Sequence, residues 1–313
     1  MSVVSAFVFP GQGSQAIGML ADIAKEHTII QDTFKEASDA LGYDLWQLVQ
    51  EGPKDLLDQT DKTQPAILTA SVALWKLWRK QSNIIPSYVA GHSLGEYSAL
   101  VAAESLPFVE AVKLVELRGQ LMQKAVPAGQ GAMAAILGLT DDEVKAACVE
   151  AAQGQVVSAV NFNAPGQVVI AGNTEAVNRA IEMCKAKGAK RALPLPVSVP
   201  SHCDLMRPAA EEFAAALTAA SWKNPNIAIV QNVTADVSRD LQTLKENLLA
   251  QLYSPVRWVE SVQVLAKLGV TTLVECGPGK VLGGLNKRCV KELDNYALET
   301  TDAFNATLIA LQS

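Results

Sequence analysis

The sequence of 313 residues is sparing with histidine, with paired cysteine and with long apolar runs, and each shortage narrows what the chain can be. Five cysteines (Cys148, Cys184, Cys203, Cys276 and Cys289) are dispersed with no C-x-x-C pair. That spacing excludes a zinc finger and a small disulfide framework, so no metal site is expected. A scattered odd set is usual in a reducing compartment. No run reaches the ~18 apolar residues that a bilayer crossing needs. The apolar start has no basic residue before Lys25, so it lacks the charged flank of a signal peptide. A cytoplasmic protein with no membrane partner is expected. Cations are also in the minority, with 26 Lys and Arg against 32 Asp and Glu and a net charge of −6. Without a basic stripe, nucleic acid is not an expected partner.

What is present is a large apolar fraction, 49%, with 19% charged residues, the balance of a globular chain with a sizeable core. The length suggests roughly two domains. The stretch PSYVAGHSLGEYSALVAA, residues 86–103, reads as one device. Residues 87–90 suit a buried strand, Gly91-His92-Ser93-Leu94-Gly95 makes a turn, and 96–103 is a run of good helix formers. A serine at such a strand-to-helix turn is pushed out into a cleft, and the two glycines give the chain room to turn. Unpaired N–H groups at the start of the helix can face a developing oxyanion. Ser93 is therefore a candidate nucleophile. Of the three histidines, His27 lies at a polar helix end, and His92 sits on the turn with its side chain directed away from that of Ser93. His202 is the candidate base by elimination.

Taken in order, residues 5–9 suit a strand and 10–15 a turn, followed by a helix over 16–26. Gly11-x-Gly13-x-x-Ala16 fits the dinucleotide fingerprint, but no second strand ending in an acidic residue follows. A nicotinamide-dependent oxidoreductase thus stays a minor alternative. Helical patterns cover 27–48, 53–60, 64–79 and 108–125. On the last of these Arg118 falls in line with Ala111, Leu114, Val115, Leu121 and Met122, the apolar stripe. A buried guanidinium is costly unless an anion meets it. The anion is either an internal carboxylate or that of a substrate, and spacing does not decide between them.

Strands over 131–139, 156–161, 167–171 and 190–197, with helices over 141–152 and 174–187, follow the order β-α-β-β-α-β, a ferredoxin-like unit. Thr140 is a candidate N-cap for the first of these helices. The expected organisation is an α/β, three-layer hydrolase-like domain with a central, mainly parallel sheet, built from residues 1–127 and 199–313. The ferredoxin-like subdomain, 128–198, is inserted in it. Beyond His202, helices are expected over 209–220, 243–253 and 258–268 and strands over 227–232 and 271–275. Two basic groups stand out, Lys185, Lys187, Lys190 and Arg191 near one helix end, and Lys287 with Arg288.

Phe9-Pro10-Gly11-Gln12-Gly13-Ser14-Gln15, Gly91-His92-Ser93-Leu94-Gly95-Glu96, Arg118, Pro200-Ser201-His202 and Glu275-x-Gly277-Pro278-Gly279 occur in the order seen in the malonyl-CoA:acyl carrier protein transacylases. The resemblance covers essentially the whole chain. It implies that Ser93 attacks the malonyl thioester with His202 as base, and that the backbone N–H groups of Gln12 and Leu94 form the oxyanion hole. It also implies that Arg118 holds the malonyl carboxylate and that the main-chain carbonyl of Gln251 orients His202. Coenzyme A enters as a thioester substrate, with no bound cofactor, and holo-acyl carrier protein is the second substrate. Lys190, Arg191, Lys287 and Arg288 are docking candidates for that acidic partner. A serine hydrolase releasing malonate from malonyl-CoA is the alternative activity.

Overall fold

A computed structural model describes residues 3–197 and 199–312. Met1, Ser2, Ser198 and Ser313, where limits of the expected domains fall, lie outside the described residues. Ten strands are present among the described residues: β1 (Ser5–Phe9), β2 (Tyr88–Gly91), β3 (Gly131–Leu137), β4 (Val157–Ala164), β5 (Gln167–Asn173), β6 (Arg191–Pro194), β7 (Ala228–Gln231), β8 (Asp236–Ser238), β9 (Thr272–Glu275) and β10 (Asp294–Ala297). They form a six-stranded sheet in the order β10-β9-β1-β2-β7-β8 and a four-stranded sheet in the order β4-β5-β3-β6.

The large sheet is parallel apart from the hairpin between β7 and β8. Its central strand β1, Ser-Ala-Phe-Val-Phe, is buried throughout. Side chains alternate across a strand, so Phe7 and Phe9 enter one apolar cluster while Ala6 and Val8 enter another on the opposite face. Helices therefore cover both faces, and the mainly parallel three-layer α/β architecture is the one expected. The small sheet is antiparallel throughout, with a separate core that includes Ile136, Val144, Ile170, Val177 and Ile181. The helices Asp141–Ala152 and Thr174–Ala186 complete it, giving the β-α-β-β-α-β order. Thr140 and Glu143 form a reciprocal cap at the start of the first helix, which satisfies two otherwise unpaired donors.

Two local expectations are corrected, and three elements are added. The helix expected from residue 16 starts only at Ala21, because Gly18 (φ +83°) and Leu20 (φ +61°) adopt left-handed backbone that a helix cannot contain. The helices expected over 53–60 and 64–79 are instead the single turn Lys54–Leu57 and a 22-residue helix, Thr60–Gln81, that runs through Pro65. Proline removes one helical hydrogen bond, but the residues from Thr63 to Leu74 are all buried, and packing overrides the local penalty. The strands β8 and β10 and the helix Thr301–Gln312 had no counterpart in the sequence reading. Both strands lie at the sheet's edges and are short and partly exposed, so neither carries the apolar run that marks a buried strand.

The carboxyl ends of β1, β2, β7 and β9 lie side by side at the middle of the large sheet. In open α/β sheets this rim is where ligands bind.

Candidate active site

The chain leaves β2 at Gly91 and enters the helix Gly95–Ala102 four residues later, with Ser93 held at φ +52°. Such a positive φ is rare for serine. It survives because the turn is packed too tightly to relax. A Cβ on Gly91 would lie 1.9 Å from the Gly95 carbonyl carbon, and one on Gly95 would lie 2.1 Å from the Phe9 carbonyl oxygen. The loop after β1 presses equally close, since a Cβ on Gly11 would lie 2.4 Å from the His92 carbonyl oxygen. Gly11, Gly91 and Gly95 are thus explained by close approach of backbone to backbone, and Gly13 by its φ of +104° in open space.

Ser93 Oγ lies 2.8 Å from Nε2 of His202, 109 residues later in the chain. The other ring nitrogen, Nδ1, is 2.7 Å from the main-chain carbonyl oxygen of Gln251. A carbonyl only accepts, so Nδ1 carries the proton and Nε2 is left to accept from the serine hydroxyl. The His202 amide donates to the Leu252 carbonyl at 3.0 Å, and the ring is only 3% exposed. Burial, aided by the positive charge of Arg118, pushes the His202 pKa down to about 3. The imidazole is therefore neutral at physiological pH, the state a base requires.

Arg118, on the helix Phe108–Ala125, is 1% exposed. One terminal nitrogen donates to Gln64 Oε1 at 2.8 Å and the other to Gln251 Oε1 at 2.9 Å. Nε has no acceptor, and the guanidinium carbon sits 5.6 Å from the Tyr97 ring centre. Among the described residues no carboxylate pairs directly with it; the partners are neutral amide oxygens. Burial pulls its pKa down, opposed by Tyr97 and Glu96. The internal-carboxylate alternative left open by the sequence is therefore not the one seen.

Three further residues had no role in the sequence reading. Gln64 supplies one of the two acceptors for Arg118. Asn232, just past β7, accepts from the Ser93 amide through Oδ1 at 2.7 Å and donates through Nδ2 to the Gly91 carbonyl at 2.6 Å. Glu96 is 1% exposed and accepts from the Asn232 amide at one oxygen and from Gln251 Nε2 at the other. Burial pushes its pKa up, opposed by those two hydrogen bonds and by the charge of Arg118. A carboxylate within the otherwise apolar run GEYSALVA was the one available signal, but an acidic residue in a first helical turn is also expected from the macrodipole.

Gln12, Ser93, Leu94, Arg118, Met133 and His202 line one cavity of about 110 Å³. Among the described residues neither the Gln12 nor the Leu94 amide has an acceptor within the protein. His92 also reaches this cavity but turns from Ser93, with Nε2 2.7 Å from Asn163 Oδ1 on β4. The four basic residues Lys190, Arg191, Lys287 and Arg288 are exposed. Arg288 is not free, since it bonds to the Gln167 side chain and, at 2.9 Å, to the Pro165 carbonyl. A wider cavity of about 400 Å³ beside Cys148 and Phe162 contains no base next to a nucleophile, and burial raises the Cys148 thiol to about 12. Among the described residues no cluster of His, Cys, Asp or Glu is arranged to hold a metal, and no helix is long and apolar enough to cross a membrane.

A nucleophilic serine at the carboxyl rim of a parallel sheet, beside a neutral histidine, defines an acyl-group enzyme. Residues 6–310 match the acyl transferase domain family, and the chain belongs to that family. Its relatives carry a narrower name. The malonyl CoA-acyl carrier protein transacylase of Escherichia coli (strain K12) is 57% identical over 97% of this chain and 98% of its own. That of Bacillus subtilis (strain 168) is 45% identical over 98% of this chain and 97% of its own. The crystal structure of an acyl carrier protein S-malonyltransferase from Vibrio cholerae superposes with a TM-score of 0.95 at 57% identity, covering 97% of this chain and 99% of the other. A malonyl-transacylase in complex with a type II polyketide synthase acyl-carrier protein superposes at 0.97 with 54% identity, covering 98% and 99%.

Proposed function

We propose that the chain transfers the malonyl group of malonyl-CoA to the phosphopantetheine thiol of holo-acyl carrier protein, through an ester on Ser93, supplying fatty acid synthesis. The observation that carries the reading is the 2.8 Å contact between Ser93 Oγ and His202 Nε2, in the same cavity as the unpaired cation Arg118. In the first half-reaction the hydroxyl attacks the thioester carbonyl as its proton passes to Nε2. The C–S bond then breaks, and the leaving thiolate of coenzyme A takes that proton. The Gln12 and Leu94 amides receive the oxyanion, and Arg118 receives the free carboxylate as a two-pronged pair. In the second half-reaction the carrier's thiol gives its proton to Nε2 and attacks the ester, and Ser93 leaves as the hydroxyl. Gln251 acts twice, fixing the histidine through its main chain and facing Arg118 through its side chain.

This chemistry exchanges a thioester for an ester and back, which a nucleophile, a base and N–H donors accomplish, so the reading includes no metal or prosthetic group. It places the chain in the cytoplasm with its two substrates. It also divides the chain into a catalytic unit, 1–127 and 199–313, and an inserted unit, 128–198, a division supported by the separate cores of the two sheets. Lys190, Arg191, Lys287 and Arg288 are offered to the acidic carrier.

Intact mass after mixing with malonyl-CoA, and again after adding holo-carrier protein, tests the reading. The expected result is one malonyl adduct that disappears onto the carrier, and no adduct with Ser93→Ala. An undiminished adduct in that variant removes Ser93 from the mechanism. An adduct lost to water as fast as to carrier makes the enzyme a hydrolase.

A further inference from the structure

Glu96 is the only acidic side chain among the groups described around Ser93, and no step of the proposed transfer uses it. Its two oxygens are both engaged. One accepts from the backbone N–H of Asn232 at 2.5 Å and the other from Nε2 of Gln251. The first donor is part of the main chain and has only one thing to offer, a proton. The second belongs to a side-chain amide, which could present either its NH2 or its oxygen. Which way that amide faces decides what Arg118 meets, because Gln251 Oε1 accepts from Arg118 at 2.9 Å. Turned over, the same amide would point NH2 at a guanidinium that has only donors.

We infer that Glu96 is the positioning residue for malonyl recognition: by accepting at both ends it fixes the orientation of the Gln251 amide, and through it the place of Arg118. A donor at each oxygen, with the charge of Arg118 nearby, favours the ionised form against burial, and an ionised carboxylate accepts at both oxygens. Glutamine, of nearly the same shape, accepts at one end and donates at the other. The Asn232 N–H would claim its oxygen, leaving its NH2 against that of Gln251. Either two donors then face each other, or Gln251 turns over and surrenders its bonds to both Arg118 and the Ser93 carbonyl, the latter 3.0 Å away. The second outcome strips an acceptor from the cation that receives the free carboxylate, and the first pushes the amide on which that cation rests out of place. The hydroxyl and imidazole keep their own contact, since His202 is held by the Gln251 main chain.

The inference rests on the malonyl-transfer reading, so its test runs against wild type with two acyl donors, malonyl-CoA and acetyl-CoA, the second lacking a free carboxylate. Rates of Ser93 ester formation are read by intact mass. For E96Q the kcat/KM with malonyl-CoA should fall about tenfold to a hundredfold, the cost of an unsatisfied buried group, and mainly through KM, while that with acetyl-CoA falls less than about threefold. Glu96→Asp and Glu96→Asn share a shorter stem and differ in one donor, so malonyl preference should be higher in the aspartate. That pair carries the test if E96Q does not fold. An equal loss with both acyl donors, or an unchanged malonyl preference, overturns the inference. Absence of a malonyl ester in wild type would instead overturn the transfer reading itself.

Discussion

The two sheets of this molecule solve the same packing problem in different ways. In the four-stranded unit each element announces itself locally, with a capping box at Thr140, glycine turns and an antiparallel ladder between sequence neighbours β4 and β5. In the six-stranded sheet the neighbours of β1 are β2 and β9, both more than seventy residues further along the chain. Only that second arrangement brings distant loops to one rim. The reacting and hydrogen-bonding groups accordingly come from residues 12, 64, 93, 96, 118, 202, 232 and 251, while the inserted sheet adds wall to the cavity through Met133 of β3 and Asn161 of β4.

The sharpest way to break this contrast is glycine. Gly91→Ala should abolish activity and most soluble protein, because its Cβ would sit 1.9 Å from backbone that has nowhere to move. Gly154→Ala, in the small unit, has φ +85° but open space around it. It should lower stability by about 1 kcal/mol and leave activity intact. Thermal melts and malonyl transfer assays on the two variants check this, and similar effects would erase the contrast.

Removing the cation comes next. Arg118→Ala should cut kcat/KM for malonyl-CoA by about a hundredfold or more, as expected when one partner of a buried charge pair is lost, and should cut acetyl-CoA much less. Equal losses with both acyl donors would reduce Arg118 to a structural role.

A smaller effect is expected from pH. Burial and Arg118 lower His202 to about 3 from the ordinary 6.5. Between those values the unfolded chain binds more protons than the folded one. The histidine's contribution to stability is therefore complete above 6.5 and shrinks as the pH falls toward 3. The ring also stays unprotonated, so single-turnover acylation of Ser93 should be level from pH 7 to 5 as far as His202 is concerned. A falling limb centred near 6.5 would show an ordinary imidazole.

The smallest effect concerns the exposed basic residues. Lys287→Glu should raise KM for carrier protein several-fold at low salt and leave malonyl-CoA kinetics unchanged. Arg288→Glu should in addition lower the melting temperature, because it gives up its bonds to Gln167 and Pro165. Carrier kinetics unmoved in both variants would end the docking assignment.

Much of this was legible in the sequence, and the reasons differ from residue to residue. Ser93 could be found because a strand, two glycines and a helix leave a local trace. Arg118 could be found because a cation on an apolar stripe is a local anomaly. His202 emerged by elimination among three, an argument that scarcity made possible. Asn232 and Gln64 left no trace, since an amide looks the same wherever it bonds, and their partners lie 139 and 54 residues away. The helix start at Ala21 leaves no local mark, because left-handed Leu20 is set by its surroundings and not by its own preference.

The bond from His92 to Asn163 ties the residue just before the nucleophile to the inserted sheet. The smaller lobe supplies no reacting group, yet it touches the chain one peptide unit from the hydroxyl that reacts, so Asn163 on β4 helps to set where the nucleophile's turn sits.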